Sequence, residues 1–169
     1  KRAAPDEMHN VLEAMVAMNY GAEYGTWWGY EGVTRAEFAN IIFLAVKPQF
    51  YEEVIGQIKS IITVDKTVVS IAPGKTIGWL EWTIGRPCKI IRTMPNTPSM
   101  VNAGMMGICA NERVSIGELE NFRYLCNGFS RTEVVPEGLM DTVTAVSGSS
   151  PAYVFMFIEA MADAAVEGG

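Results

Sequence analysis

Ile41-Ile42-Phe43-Leu44-Ala45-Val46 is apolar at every position, and a short unbroken run of that kind is how a strand reads when both its faces are covered, as in a parallel sheet. A second run, Thr67-Val68-Val69-Ser70-Ile71-Ala72, comes after a stretch in which Phe50, Val54, Ile58 and Ile61 recur every three or four residues. That spacing predicts an amphipathic helix. Strand, crossover helix and strand make a βαβ unit, right-handed by default. A shorter helix at residues 76–83 leads to a third strand at 89–92.

Beyond it the pattern predicts a strand at 105–110, a helix opening at Ser115, a strand at 132–135 and further helix at 137–146. Ser115-Ile116-Gly117-Glu118 has the capping-box form, in which Ser115 and Glu118 each satisfy an orphaned backbone donor. Leu119, Phe122, Cys126 and Phe129 give that helix its core face. From 151 to 166 the pattern changes, because Ala152, Val154, Phe155, Met156, Phe157, Ile158, Ala160, Met161 and Ala164 leave no polar face. Such a helix is expected to pack against other helices. A domain boundary is expected near Ser147, where the α/β pattern gives way to helix alone. At the other end, Met8, Val11, Leu12, Met15, Val16 and Met18 predict a helix over 6–20, residues 21–32 with Trp27-Trp28 predict a loop or short strand, and Thr34 is placed as the cap of a short helix at 34–39.

Several function classes are disfavoured by what the 169 residues contain. A formal charge of −6 with scattered Lys and Arg disfavours a nucleic-acid surface. Cys88, Cys109 and Cys126 are odd in number and far apart, which fits neither a disulfide framework nor a zinc site and points to a reduced, cytoplasmic setting. His9 is the single histidine, read as a surface residue, so a His-based triad or metal cluster lacks its usual parts. No apolar run approaches the ~20 residues of a membrane span.

In an open parallel sheet, ligands bind beyond the carboxyl ends of the strands. Three consecutive strand ends here carry small or Pro residues: Val46-Lys47-Pro48, Ala72-Pro73-Gly74, and Arg92-Thr93-Met94-Pro95-Asn96-Thr97-Pro98. The two prolines of the last segment lock φ and withhold donors, so Asn96 and Thr97 are expected to stand outside strand and helix, free for a ligand. Ser147-Gly148-Ser149-Ser150-Pro151 places hydroxyls and a helix-starting Pro together, so that free N–H groups at a helix N-terminus face an anion, with Ser149 and Ser150 as its donors. Ordinary helix capping by the same serines is the competing reading.

The RTMPNTP and SGSSPAY stretches, with Ala45-Val46-Lys47-Pro48 upstream of them, resemble the pyrroline-5-carboxylate reductase family, from about Gly32 to Gly169. The resemblance implies a Rossmann-like, mostly parallel α/β sheet with flanking helices that leads into an all-helical dimerisation domain. It divides the chain into an incomplete dinucleotide-binding domain, 1–146, and the first helix of the helical domain, 147–169. That family opens with a strand and a GxGxxG turn for the pyrophosphate and ends beyond a Gly-Gly-Thr-Thr loop. Neither motif occurs here, so the chain reads as a fragment expected to be inactive alone. The resemblance implies NADPH or NADH held by Ala45, Val46, Lys47, Pro48, Ile71, Ala72, Pro73 and Asn96. It puts 1-pyrroline-5-carboxylate near Glu137, Ser149 and Ser150, in a homodimer or larger homo-oligomer. The implied reaction is hydride transfer to the C=N carbon, giving L-proline, with no catalytic residue assigned. Gly32 stands where the family commonly has a cofactor-holding Asn. The alternatives are a truncated, non-catalytic α/β domain of the same family and another β-hydroxyacid-type NAD(P) dehydrogenase.

Overall fold

The structure, a computed structural model, describes residues 40–169. The expectations for His9, the helix at 6–20, Trp27-Trp28, Gly32 and Thr34 fall outside the described residues.

Five strands form one sheet in sequential order: β1 (Ile41–Leu44), β2 (Thr67–Ser70), β3 (Lys89–Met94), β4 (Gly104–Ala110) and β5 (Ser130–Val134). β1, β2 and β3 run parallel, β4 is antiparallel to β3, and β5 is parallel to β4. The mostly parallel, Rossmann-like architecture expected from the sequence is therefore present. Alternation along the strands feeds two cores. Val68, Ile90 and Cys109 face one side, with Tyr51, Ile55, Leu80, Ile84 and Met140 from the helices there. Val69, Ile91 and Ile108 face the other, against Phe122 and Cys126.

The first core is covered by α1 (Tyr51–Ile58), α2 (Ile77–Ile84) and α4 (Met140–Val143), the second by α3 (Ile116–Cys126). α1 turns inward the face its spacing predicts at Val54 and Ile58, which pack against the first core, while the two ends of that stripe fall outside the helix. Tyr51, Ile55 and Ile62 are buried, while Phe50 and Ile61 are exposed. Phe50 belongs to a 3₁₀ turn (Pro48–Phe50) ahead of the helix and Ile61 lies past its end, so neither continues the helical stripe. Thr76 caps α2 by accepting from the Trp79 N–H, and Gly85, in the left-handed region at φ 65°, ends it. The capping box at Ser115 and Glu118 is formed as expected.

β3 runs on to Met94, two residues past the expected end at Arg92, so Thr93 is a strand residue rather than loop, and Thr97 opens a 3₁₀ turn (Thr97–Val101) instead of standing free. That turn is fastened to the sheet where β4 and β5 begin, by the buried Ser99–Ser130 hydroxyl contact of 2.6 Å. The position beside it has to be glycine, since a Cβ on Gly104 would meet Ser99 Oγ at 2.1 Å and Ser130 Oγ at 2.2 Å. The last helix, α5 (Ser150–Glu167), contributes no buried residue.

Candidate functional site

The register places Leu44 opposite Ser70 and Ser70 opposite Arg92, so three adjacent parallel strands end along one edge. Residues 45–48, 71–74 and 95–98 continue from that edge. Lys47 and Pro73 are exposed there, Val46 and Asn96 half-buried, and Ala72 buried. The residues expected to hold a cofactor are thus brought together. Beside them Lys75 sits 3.8 Å above the Trp79 ring, an ammonium on an aromatic face.

A set of buried hydroxyls that the sequence reading passed over lies beneath these loops. The Tyr51 hydroxyl donates to the Leu44 carbonyl at 2.6 Å and contacts Ser70 Oγ at 3.1 Å. The Ala72 N–H donates to Ser70 Oγ at 3.4 Å, and Thr93 Oγ1 donates to the Ser70 carbonyl at 3.1 Å. The last residues of β1 and β2 are so linked to each other and to β3. Burial raises the Tyr51 pKa, opposed by the Ser70 hydrogen bond and the amides of Ile71 and Ala72. The tyrosine is therefore a neutral phenol at physiological pH.

Arg92 is 2% exposed. A buried guanidinium needs partners, and it has two, Glu137 at 3.3 Å and Asp141 at 3.1 Å. The same Glu137 Oε1 accepts the Ile77 N–H at 2.6 Å, at the start of α2, where a carboxylate complements the helix dipole. Glu137, placed near substrate by the sequence reading, has this oxygen engaged by the protein itself. Cys109, opposite Arg92 in β4, has its thiol pushed up to about 11 by burial and then by the Glu137 charge. Burial alone pushes Cys126 to about 12. Neither is a nucleophile near neutral pH.

Asn96 is also committed on both sides of its amide. Its Oδ1 accepts from the Met105 N–H at 2.9 Å, and its Nδ2 donates to Ser147 Oγ at 3.3 Å. The second contact joins the RTMPNTP segment to the SGSSPAY segment, 51 residues further on.

The serines correct one expectation. Residues 140–167 are helical almost throughout, α4 passing into α5 through a π-helical turn (Thr144–Gly148). The Ser149 N–H donates back to the Thr144 carbonyl at 3.0 Å. Ser149 Oγ donates to the same carbonyl at 3.2 Å and Ser150 Oγ donates to Val146 O. Neither side chain caps α5, and the helix start is no free N-terminus, because preceding helix supplies carbonyls to it. The Ser-Gly-Ser-Ser-Pro composition reads as a cap; the helical chain ahead of it overrides that local signal. Ser149 itself is exposed at the surface.

Among the described residues, no group of three His, Cys, Asp or Glu side chains is arranged to hold a metal. No described helix is long and apolar enough to cross a membrane.

Two family models match the chain: "NADP oxidoreductase coenzyme F420-dependent" over residues 21–74, and "Pyrroline-5-carboxylate reductase dimerisation" over 137–169. The chain is 49% identical over 134 residues to the pyrroline-5-carboxylate reductase of Escherichia coli, covering 79% of this chain and 50% of that one. A crystal structure of Plasmodium falciparum pyrroline carboxylate reductase with NADP bound superposes with a TM-score of 0.73 at 38% identity, over 77% of this chain and 49% of that one. The Streptococcus pyogenes 1-pyrroline-5-carboxylate reductase gives a TM-score of 0.71 at 32% identity, over 77% and 49%. The chain spans about half the length of the curated relatives it matches.

Proposed function

The chain belongs to the pyrroline-5-carboxylate reductase family, and on this premise we propose that it forms the cofactor edge and part of the substrate site of an NAD(P)-dependent reductase. This enzyme reduces the C=N bond of 1-pyrroline-5-carboxylate to give L-proline. The observation that carries the reading is the Asn96–Ser147 contact, which joins the family's two most distinctive segments at the edge where three parallel strands end.

A dinucleotide fits that edge. Ala45, Val46, Lys47 and Pro48 and then Ile71, Ala72 and Pro73 line it, and the left-handed turn at Gly74 (φ 72°) has open space around its Cα. When bound, NADPH or NADH supplies the hydride. The chain's own part is positioning. Protonation of the pyrroline nitrogen makes its carbon a better acceptor, and what remains is to hold the ring face at near-attack distance and exclude misplaced geometries. Asn96, tied to β4 and to Ser147, fixes the spacing between the cofactor loops and the segment bearing Ser149 and Ser150. Those two hydroxyls would meet the substrate carboxylate by exchanging their present carbonyl partners. Glu137 acts at the border by holding Arg92 and the start of α2 in place. We place the domain border near Ser147 and assign α5 to a homo-oligomer contact, supported by the dimerisation-family match and by a helix without buried residues.

Steady-state kinetics test this on the protein together with any coding sequence that flanks these 169 residues. Lys47→Ala is expected to raise the KM for the cofactor. Ser149→Ala is expected to lower kcat/KM for pyrroline-5-carboxylate about tenfold or more, the worth of a hydrogen bond to a charged group. An unchanged kcat/KM with only a lowered melting temperature would make Ser149 structural and remove it from the substrate site.

A further inference from the structure

Tyr51 is one of the few buried polar side chains that reach toward the strand-end loops. It opens α1, is 0% exposed, and its hydroxyl reaches Leu44 and Ser70, the last residues of β1 and β2, from which the loops at 45–48 and 71–73 lead off. A buried phenol must find a partner for its hydroxyl, and counting protons gives the partners a direction. The phenol has one proton, and the 2.6 Å contact commits it to the Leu44 carbonyl. The 3.1 Å contact with Ser70 must therefore be donated by the serine hydroxyl. Ser70 Oγ, with its own proton so used, keeps a lone pair for the Ala72 N–H at 3.4 Å.

The result is a single directed chain, from the Ala72 amide to the Ser70 hydroxyl, to the Tyr51 hydroxyl, to the Leu44 carbonyl. It begins in one cofactor-lining loop and ends at the residue before the other. Each link polarises the next in a buried setting, so the chain sets the distance between the loops more firmly than isolated contacts would. Trp79, on α2, packs on the same tyrosine with ring centroids 6.4 Å apart.

We propose that Tyr51 is a positioning residue for the dinucleotide, acting through Ser70 to hold the loops after β1 and β2 at the spacing the cofactor needs. The proposal rests on the reading of this edge as the cofactor site.

The test is Tyr51→Phe, which keeps the ring and removes the hydroxyl, made in the protein with its flanking coding sequence. NADPH and NADH affinity is measured by fluorescence titration, and both KM values and kcat by steady-state kinetics. The expected result is a rise of about three- to tenfold in cofactor Kd and KM, the scale of one net hydrogen bond. The KM for pyrroline-5-carboxylate and kcat at saturating cofactor should stay within about twofold. Ser70→Ala should shift cofactor affinity the same way, and the double variant should cost less than the sum, because both changes cut one chain. Should Tyr51→Phe fail to fold, Ser70→Ala is judged by the same split. Unchanged cofactor affinity in the variants, or equal losses in both KM values and kcat, would overturn the proposal. An unsubstituted protein that binds neither dinucleotide would instead overturn the reading of the edge.

Discussion

α3 and α5 are the two longest helices among the described residues, and they treat their apolar side chains in opposite ways. α3 buries Phe122 and Cys126 against the sheet and packs Leu119 beside them, while Glu120 and Arg123 pair at 2.8 Å outside the core. α5 leaves Phe155, Phe157 and Ile158 each more than half exposed. The difference lies in arrangement as much as in content. In α3 the apolar residues form one stripe, which a single sheet face can cover. In α5, residues 153–158 point apolar groups in every direction, so no rotation against one surface would bury them. A helix of that kind needs contacts on several sides, and those contacts are not made among residues 40–169.

The largest expected effect separates the two regions directly. Leu80→Ala, in the first core, should cost about 2–5 kcal/mol of stability, the lost transfer energy plus the cavity left behind. Phe155→Ala should change the unfolding of the sheet by less than about 0.5 kcal/mol, as at an exposed site. Urea denaturation followed by circular dichroism measures both. Comparable losses that do not depend on protein concentration would mean that α5 packs on the sheet, and concentration-dependent ones that it packs on another copy of the chain.

A middle-sized effect is expected where the regions meet. Glu137→Gln leaves buried Arg92 with Asp141 as its charged partner and replaces the acceptor at the start of α2 by a neutral one. The loss should be about 1.5–3 kcal/mol, the range for hydrogen bonds to charged groups. Thermal melts of the variant against the unsubstituted protein check it, and a loss below about 0.5 kcal/mol would show that Arg92 is held by Asp141 and packing.

The smallest effect compares two serines that look alike in sequence. Ser115→Ala removes a formed capping box and should cost about 1 kcal/mol. Ser149→Ala removes no cap, and only a hydroxyl bonded to a carbonyl already used by a backbone N–H, so its stability cost should be a few tenths of a kcal/mol. Equal costs in chemical denaturation would contradict the continuous helix described for residues 140–167.

Local patterns in the chain were sufficient for the frame. The runs at 41–46 and 67–72 gave β1 and β2, and Ser115 with Glu118 gave the start of α3, because each signal lies within a few neighbouring residues. Arg92 is legible as the end of the third strand, but its ion pairs are not, since its partners stand 45 and 49 residues away and only the fold brings them against a strand end. Tyr51 gives no signal in a stripe that starts at Phe50, which lies in the turn ahead of α1, although Val54 and Ile58 of that stripe do pack on the core beside Tyr51 and Ile55. The serines misled in the reverse way. Their composition favours a cap, and preceding helix outweighed it. The gathering of residues 45–48, 71–73 and 96 at one edge followed from the strand order alone, whereas the ties that fix them, through Ser70, Met105 and Ser147, needed coordinates.

The π-helical turn between α4 and α5 has a further meaning as a phase shifter. A bond from residue 149 back to 144 closes a loop one residue longer than an α-helical one. At 3.6 residues per turn, one added residue rotates everything beyond it by about 100°. Deleting a single residue from 144–148 would leave two intact helical stretches and still swing α5 through more than a quarter of a circle, carrying its Phe and Met side chains to other bearings. The direction in which this helix presents itself to any partner is thus encoded by the length of five residues, and substitutions there are far less consequential than a change in their number.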